Sequence, residues 1–241
     1  MLPNKIIKFE DITLVNNEEE DGCPGAGIPA IKIVNWEYLI AKEYVGFYPV
    51  EKDWTIVSAG AWLGIESIFF SRLAQKVFAL EPITDTFVKL LENCKLNNAS
   101  NVYPINIGLG DQTGLLDMII TNNSAASGFE NYDPSHNTLM EKRQFQIYTW
   151  DDFVDSQKLQ KVDLCIVDIE GAEGRFLTKM TKCLPKRLMI AIYHPNSPIS
   201  KWKHLISERG YVYDGIIHEY QGLDGKPGDT HSHVYHLEEK K

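Results

Sequence analysis

Ile56-Val57-Ser58-Ala59-Gly60-Ala61-Trp62-Leu63-Gly64 is an apolar run that ends in two glycines four residues apart. It reads as a β-strand running into a tight turn. Glycine at 60 and 64 lets the backbone bend sharply and lets a ligand come close to it. Residues 65–74 follow, with Ile65, Ile68, Phe69 and Leu73 at helical spacing. The same strand-then-helix unit recurs downstream. Residues 76–80 form a second strand that ends at Glu81-Pro82, and Glu81 lies 21 residues after Gly60. Pro82 is expected to open the next helix, whose buried stripe is Phe87, Leu90, Leu91 and Cys94. A third strand over 102–107 ends in Gly108-Leu109-Gly110-Asp111. A fourth over 162–168 runs into Val167-Asp168-Ile169-Glu170-Gly171-Ala172-Glu173, three acids around a glycine, with a helix over about 173–180. A fifth over 188–193 ends in His194-Pro195 and is followed by a helix over 199–208. Strands that alternate with helices in this way imply a mostly parallel, doubly wound α/β sheet.

Two segments break the alternation. Residues 115–121 and 144–149 read as an inserted β-strand pair with a polar loop between them, and a short helix starts at 150. Residues 211–217 and 232–237 close the chain as an antiparallel pair. Upstream, residues 9–29 are acidic and then glycine-rich, which reads as an exposed loop. Residues 35–47 predict a helix with Trp36, Leu39, Ile40 and Tyr44 on one face. The expected organisation is therefore an N-terminal segment, 1–50, whose loop and helix pack on the core. The sheet domain follows over 51–241, with its insertion at about 112–150.

Bulk properties exclude several classes of function. A chain of 241 residues with 44% hydrophobic content suits one large α/β domain. A net charge of -9 argues against a general nucleic-acid binder, which needs clustered Lys and Arg. No run has the roughly 18 apolar residues of a membrane span, and residues 1–5 lack a signal-peptide core. The four cysteines are isolated and form no Cys-x-x-Cys pair, so neither a zinc site nor a disulfide framework is indicated. A reducing, cytoplasmic location is expected. His231 and His233 would share one face of a strand and His236 the other, with no acid at metal-ligand spacing, so no metal is expected.

In an open α/β sheet, ligands bind outside the carboxyl ends of the strands. Residues at those ends are therefore the candidates. Glu81 suits the paired hydroxyls of a ribose, since a carboxylate accepts two hydrogen bonds. Its bland alternative is an exposed acid before a helix, where it favours the positive helix end. Asp111 suits an adenine amino group, or it closes a Gly-Asp turn. Asp168 and Glu170 flank the reaction centre, where Asp168 would hold a cofactor amine or orient a nucleophile. Glu173 reads as a first-turn helix residue that complements the dipole. His194 is placed either as a general base or as a hydrogen-bonded strand-end histidine. The Gly-x-x-x-Gly turn does not match the Gly-x-Gly-x-x-Gly fingerprint, which demotes NAD.

From about residue 44 to 194 the chain resembles the FkbM-type family of S-adenosylmethionine-dependent methyltransferases. The residues that carry the resemblance are Gly60-Ala61-Trp62-Leu63-Gly64, Ala79-Leu80-Glu81-Pro82, Tyr148-Thr149-Trp150-Asp151-Asp152-Phe153 and Asp168-Ile169-Glu170-Gly171-Ala172-Glu173. The resemblance implies a class I, Rossmann-like fold and S-adenosyl-L-methionine as cofactor. It places Gly60 and Gly64 along the methionine part, Glu81 on the ribose and Asp168 near the amine and methyl group. Ala61, Asp111 and Glu170 complete the expected cofactor set. It also implies O-methylation of a hydroxyl on a sugar or small metabolite. Two positions depart from the family pattern: Ser58 stands where Asp is usual, and Trp62 where Asn is usual. They favour the alternative of a non-catalytic Rossmann-like module with a degenerate cofactor site.

The implied chemistry is direct displacement, in which the protein mainly aligns acceptor oxygen, methyl carbon and sulfur. His194 or Asp168 would take the acceptor proton. Residues 112–147 and the C-terminal strands are expected on the acceptor side. There Asn122, Asn123, Ser124, Ser127, Asn131 and His136 offer neutral hydrogen-bonding groups to a hydroxylated acceptor. A homo-oligomer is compatible with the sequence.

Overall fold

The structure is a computed structural model and describes residues 5–16, 30–121, 127–128, 139–191, 199–221 and 227–238. The chain begins with a hairpin, β1 (Lys5–Phe9) and β2 (Ile12–Asn16), and continues into helix α1 (Ala30–Phe47). Then come β3 (Thr55–Ala59), α2 (Ile65–Ser71), β4 (Lys76–Leu80), α3 (Thr84–Leu96) and β5 (Val102–Ile105). The insertion supplies β6 (Gly108–Gly110), β7 (Gly114–Thr121) and β8 (Leu139–Thr149). After it come α4 (Trp150–Ser156), β9 (Leu164–Val167), α5 (Glu173–Thr178), β10 (Arg187–Ala191), α6 (Ile199–Glu208), β11 (Tyr211–Gln221) and β12 (Pro227–Leu237).

The main sheet has the order β11-β12-β10-β9-β3-β4-β5. Strands β10, β9, β3, β4 and β5 pair in parallel, and β12 runs antiparallel to both β10 and β11. The central strands are apolar along their whole length because both faces are covered. All four residues of β9, Leu164 to Val167, are buried. Side chains alternate between two cores. Ile56, Val77, Leu164 and Met189 pack with α1, α2 and α3. Val57, Leu80, Cys165 and Leu188 pack with α4, α5 and α6. After β3 the chain winds one way through β4 and β5, then the other through β9 and β10. The carboxyl ends of β3 and β9 thus meet at the topological switch point, where such sheets bind ligands.

Four local readings need correction. Residues 12–16 are not loop but a strand, with Ile12 and Leu14 fully buried. That strand is tied to α3, since Val15 N–H donates to Asn93 Oδ1 at 2.6 Å and Thr13 N–H to Asn97 Oδ1 at 2.9 Å. Helix α1 starts at Ala30, and its buried stripe is Ala30, Ile33, Val34, Tyr38, Ala41 and Tyr44. Of the expected face only Tyr44 lies in that stripe, while Trp36 and Ile40 sit at its margin. Pro82 does not open α3, because Ile83 caps the helix and Thr84 begins it. The third strand stops at Ile105. Asn106 bends the chain away by donating its side-chain amide to Glu81 O (2.8 Å) and Pro82 O (2.9 Å). Gly108–Gly110 then joins the insertion, making a three-stranded sheet β6-β8-β7 where the sequence suggests a pair.

Candidate active site

The site begins at the turn after β3. Gly60, Trp62 and Gly64 all have positive φ, at 82°, 45° and 88°. Gly60 and Ala61 both donate their N–H to Leu80 O, at 3.0 and 2.9 Å, which pins the turn to the end of β4. An L-residue in the left-handed region costs about 1–2 kcal/mol, so Trp62 must be held there. Its N–H donates to Glu81 Oε2 at 3.0 Å, and its side chain is buried in the core under α1 and α2.

Glu81 is 5% exposed. Its second oxygen, Oε1, accepts the Ile83 N–H at 2.9 Å. Burial pushes its carboxyl up to about 8, against the pull of the Ile83 and Trp62 N–H groups, which favour the ionised form. Glu81 therefore joins the β3 turn to the start of α3. Each oxygen keeps acceptor capacity for a ligand.

The second rim is the turn after β9. Asp168 N–H donates to Ala59 O at 3.0 Å, and the Asp168 carbonyl lies against Gly60. A Cβ at position 60 would sit 1.7 Å from that oxygen. The close approach that Gly60 permits is thus to the neighbouring strand end. Glu170 and Gly171 take positive φ, 50° and 93°. Glu173, fully buried, stabilises this turn through Oε1, which accepts the N–H of Ile169 (3.0 Å) and of Gly171 (3.1 Å). Its role is to shape the rim that carries Asp168 and Glu170.

Gly60, Trp62, Asp168 and Glu170 form one side of a cleft, and Glu81, Pro82 and Ile83 a second. Gly108, Leu109, Met118, Ser127 and Ile147 wall it from the insertion. The space between these walls is about 490 Å³, solvent at its mouth included, within the range of small-molecule sites. Ser127 is buried beside β7, and its Oγ accepts the Thr121 N–H at 3.1 Å. Gly128 bridges to Ile119 and rests on the Glu170 carbonyl, so the insertion closes directly over the β9 turn.

The structure thus gathers Gly60, Glu81, Asp168 and Glu170 around one cleft. Ala61 and Gly64 stand behind it: Ala61 is buried in the core, and Gly64 closes the turn by donating its N–H to Ala61 O at 2.7 Å. Asp111 follows β6, and its Oδ1 is buried without a hydrogen-bond partner among the described residues. His194 lies outside the described residues, as do Asn122, Asn123, Ser124, Asn131 and His136. None of the described residues of β11 or β12 lines the cleft. His236 Nδ1 pairs with Asp214 Oδ1 at 2.7 Å. Among the described residues no cluster of His, Cys, Asp or Glu is arranged to hold a metal.

Two acids near the cleft are not evident from sequence, Glu37 on α1 and Glu66 on α2. Glu66 is 9% exposed, and burial pushes its carboxyl up to about 8. The Glu37 carboxyl is held well above the usual carboxylate range, first by burial and then by the charges of Glu66, Asp168 and Glu170. Glu66 follows Gly64 in an apolar helix, and a lone acid among Ile65, Ile68 and Phe70 was the available signal.

Residues 60–213, more than half of the chain, match the methyltransferase FkbM domain. No curated protein sequence matches significantly. Solved structures similar in fold include M. jannaschii TYW2 in complex with AdoMet, at 17% identity over 97% of this chain and 84% of that one, TM-score 0.51. The ribosomal protein L11 methylase from Lactobacillus delbrueckii subsp. bulgaricus aligns at 12% identity over 83% and 78%, TM-score 0.50. A SAM dependent methyltransferase from Aquifex aeolicus aligns at 11% identity over 84% and 91%, TM-score 0.50. Among the described residues no helix is long and apolar enough to cross a membrane. With the fold and the family match in agreement, the chain belongs to the FkbM methyltransferase domain family and is a methyltransferase.

Proposed function

We propose that the cleft between the β3, β4 and β9 strand ends holds S-adenosylmethionine, and that the methyl group goes to a hydroxyl of a sugar or small metabolite lying against the insertion. The observation that carries the cofactor reading is Glu81, fixed at the cleft by two backbone N–H groups with acceptor capacity left on both oxygens. Two ribose hydroxyls would complete that set, and their donation favours the ionised carboxylate. The buried, unpartnered Asp111 Oδ1 fits a donor such as the adenine amino group. Leu109, Ile83 and Ile147 supply apolar walls suited to a flat base.

The bound cofactor supplies a methyl group on a sulfonium, which leaves as a neutral thioether. The chain's own part is positioning and proton removal. Asp168 stands at the cleft on a turn fixed by Glu173 and by contact with Gly60. Its carboxylate would take the proton from the acceptor hydroxyl as that oxygen attacks. Met118, Ser127 and Ile147 of the insertion would seat the acceptor. A net charge of -9 favours a small acceptor over a nucleic acid.

Calorimetric titration with S-adenosylhomocysteine tests the cofactor half. Saturation at a hundred times the dissociation constant should also stabilise the fold by about 2.7 kcal/mol. Absence of both heat and thermal shift at millimolar ligand would overturn it. The acceptor half is tested by methyl transfer from labelled cofactor to a panel of hydroxylated small molecules and amines. Labelling of amines alone would overturn the hydroxyl assignment.

A further inference from the structure

We infer that Glu66, with Glu37 beside it, forms a carboxylate pocket for the α-ammonium group of the cofactor. The inference rests on the cofactor reading above and extends it to residues on α1 and α2. Strand β3 alternates, so Ser58 faces the same side as Ile56, the side covered by α1 and α2. At this strand end β3 itself offers only a neutral hydroxyl. Glu37 and Glu66 stand on the two helices that cover this side.

Glu66 lies in the first turn of α2, two residues after Gly64. It is nine-tenths buried, and among the described residues no hydrogen bond or cation offsets the burial that raises its carboxyl. Buried polar groups are normally paired, and an unpaired carboxylate is among the most costly to bury. Glu37 stands on α1, which packs against α2. The charges of Glu66, Asp168 and Glu170 all act on it, and the last two line the cleft. An ammonium group meets this arrangement better than a metal ion does. It brings three N–H donors to separated carboxylates, whereas no described acids converge at metal-ligand distances. Burial raises both carboxyls, and the neighbouring charges raise that of Glu37 further, so an ammonium group placed between them would favour their ionised forms.

The test is calorimetry on the full chain and its Glu66→Gln variant with three probes. These are S-adenosylhomocysteine, its analogue lacking the α-amino group, and S-adenosylmethionine. Glu66→Gln should weaken S-adenosylhomocysteine and S-adenosylmethionine about tenfold to a hundredfold, and leave the deaminated analogue unchanged. The ligand-free variant should melt at a higher temperature than the parent, because an unpaired buried acid is gone. Equal loss on all three probes, or none, overturns the pocket. A loss confined to S-adenosylmethionine also overturns it, since that would place the sulfonium at Glu66. If the parent chain binds none of the probes, the cofactor reading itself fails. Should Glu66→Gln not fold, Glu37→Gln carries the same comparison, with the same selective loss expected and the same overturning results.

Discussion

Replacing Gly60 by alanine should damage this protein more than any other single methyl addition to its turns. The new Cβ would stand 1.7 Å from the Asp168 carbonyl oxygen and 2.8 Å from the carbonyl carbon. Both are backbone atoms, so no rotamer change relieves the clash. The residue also sits at φ 82°, where an L side chain costs about 1–2 kcal/mol. Backbone displacement from overpacking adds about 1–3 kcal/mol. The sum, about 2–5 kcal/mol, corresponds to a melting temperature lower by roughly 4–20 °C for a chain of this size. Two controls set the scale. Gly64→Ala carries a similar φ penalty, but its Cβ meets only the end of the Leu90 side chain, at 2.4 Å. Its loss should stay near 1–2 kcal/mol. Gly46 lies inside α1 with nothing within 4 Å, so Gly46→Ala should gain about 0.5–1 kcal/mol. Thermal melts and urea unfolding of the three variants give the order directly. A Gly60→Ala protein as stable as Gly64→Ala would refute the claim that the β3 and β9 strand ends touch through this glycine.

Further outcomes follow from the same geometry. Glu81→Ala removes the acceptor of two backbone N–H groups, at about 1–3 kcal/mol for each left unpaired. Urea midpoints should fall together with S-adenosylhomocysteine affinity, and loss of affinity alone would show that Glu81 does not hold the turn. Gly174→Ala would drive a Cβ to 1.9 Å from the Trp202 ring and should part α5 from α6, costing about 1–3 kcal/mol by unfolding measurements. A neutral result would mean that this packing is wrong. The pH dependence has a definite sign. Glu66 and Glu81 each bind a proton more tightly in the fold, near 8, than at the ordinary value of 4.5. Between these limits the folded state holds more protons than the unfolded one, so ligand-free stability should fall as pH rises from about 4.5 to 8. Glu66→Gln should flatten that fall, and an unchanged slope in urea titrations at pH 6 and 8.5 would remove Glu66 as a contributor.

Much of the fold was legible because its strands are apolar throughout and its helices carry one buried stripe. The turn residues Gly60 and Gly64 and the acids Glu81 and Asp168 stand where strand ends had to be. What escaped depended on contacts distant in sequence. The β2 strand reads as a short stretch before an acidic run, and only Asn93 and Asn97, 78 and 84 residues away, show why it is ordered. The break after Ile105 is made by the Asn106 amide reaching back to the end of β4. Glu173 looked like a helix-dipole residue because its bonds to Ile169 and Gly171 require the turn to be already folded. Glu37 and Glu66 were hidden for a similar reason. An acid on a helix is ordinarily solvated, and only the packing of α1 on α2 buries Glu66 and covers part of Glu37.

A structure of the protein crystallised with S-adenosylhomocysteine tests the central claim most directly. The account predicts the ribose hydroxyls within about 2.5–2.7 Å of the Glu81 carboxylate oxygens, with the base against Leu109 and the amino acid end towards Asp168. A ligand seated elsewhere, or a ribose held without Glu81, would contradict it.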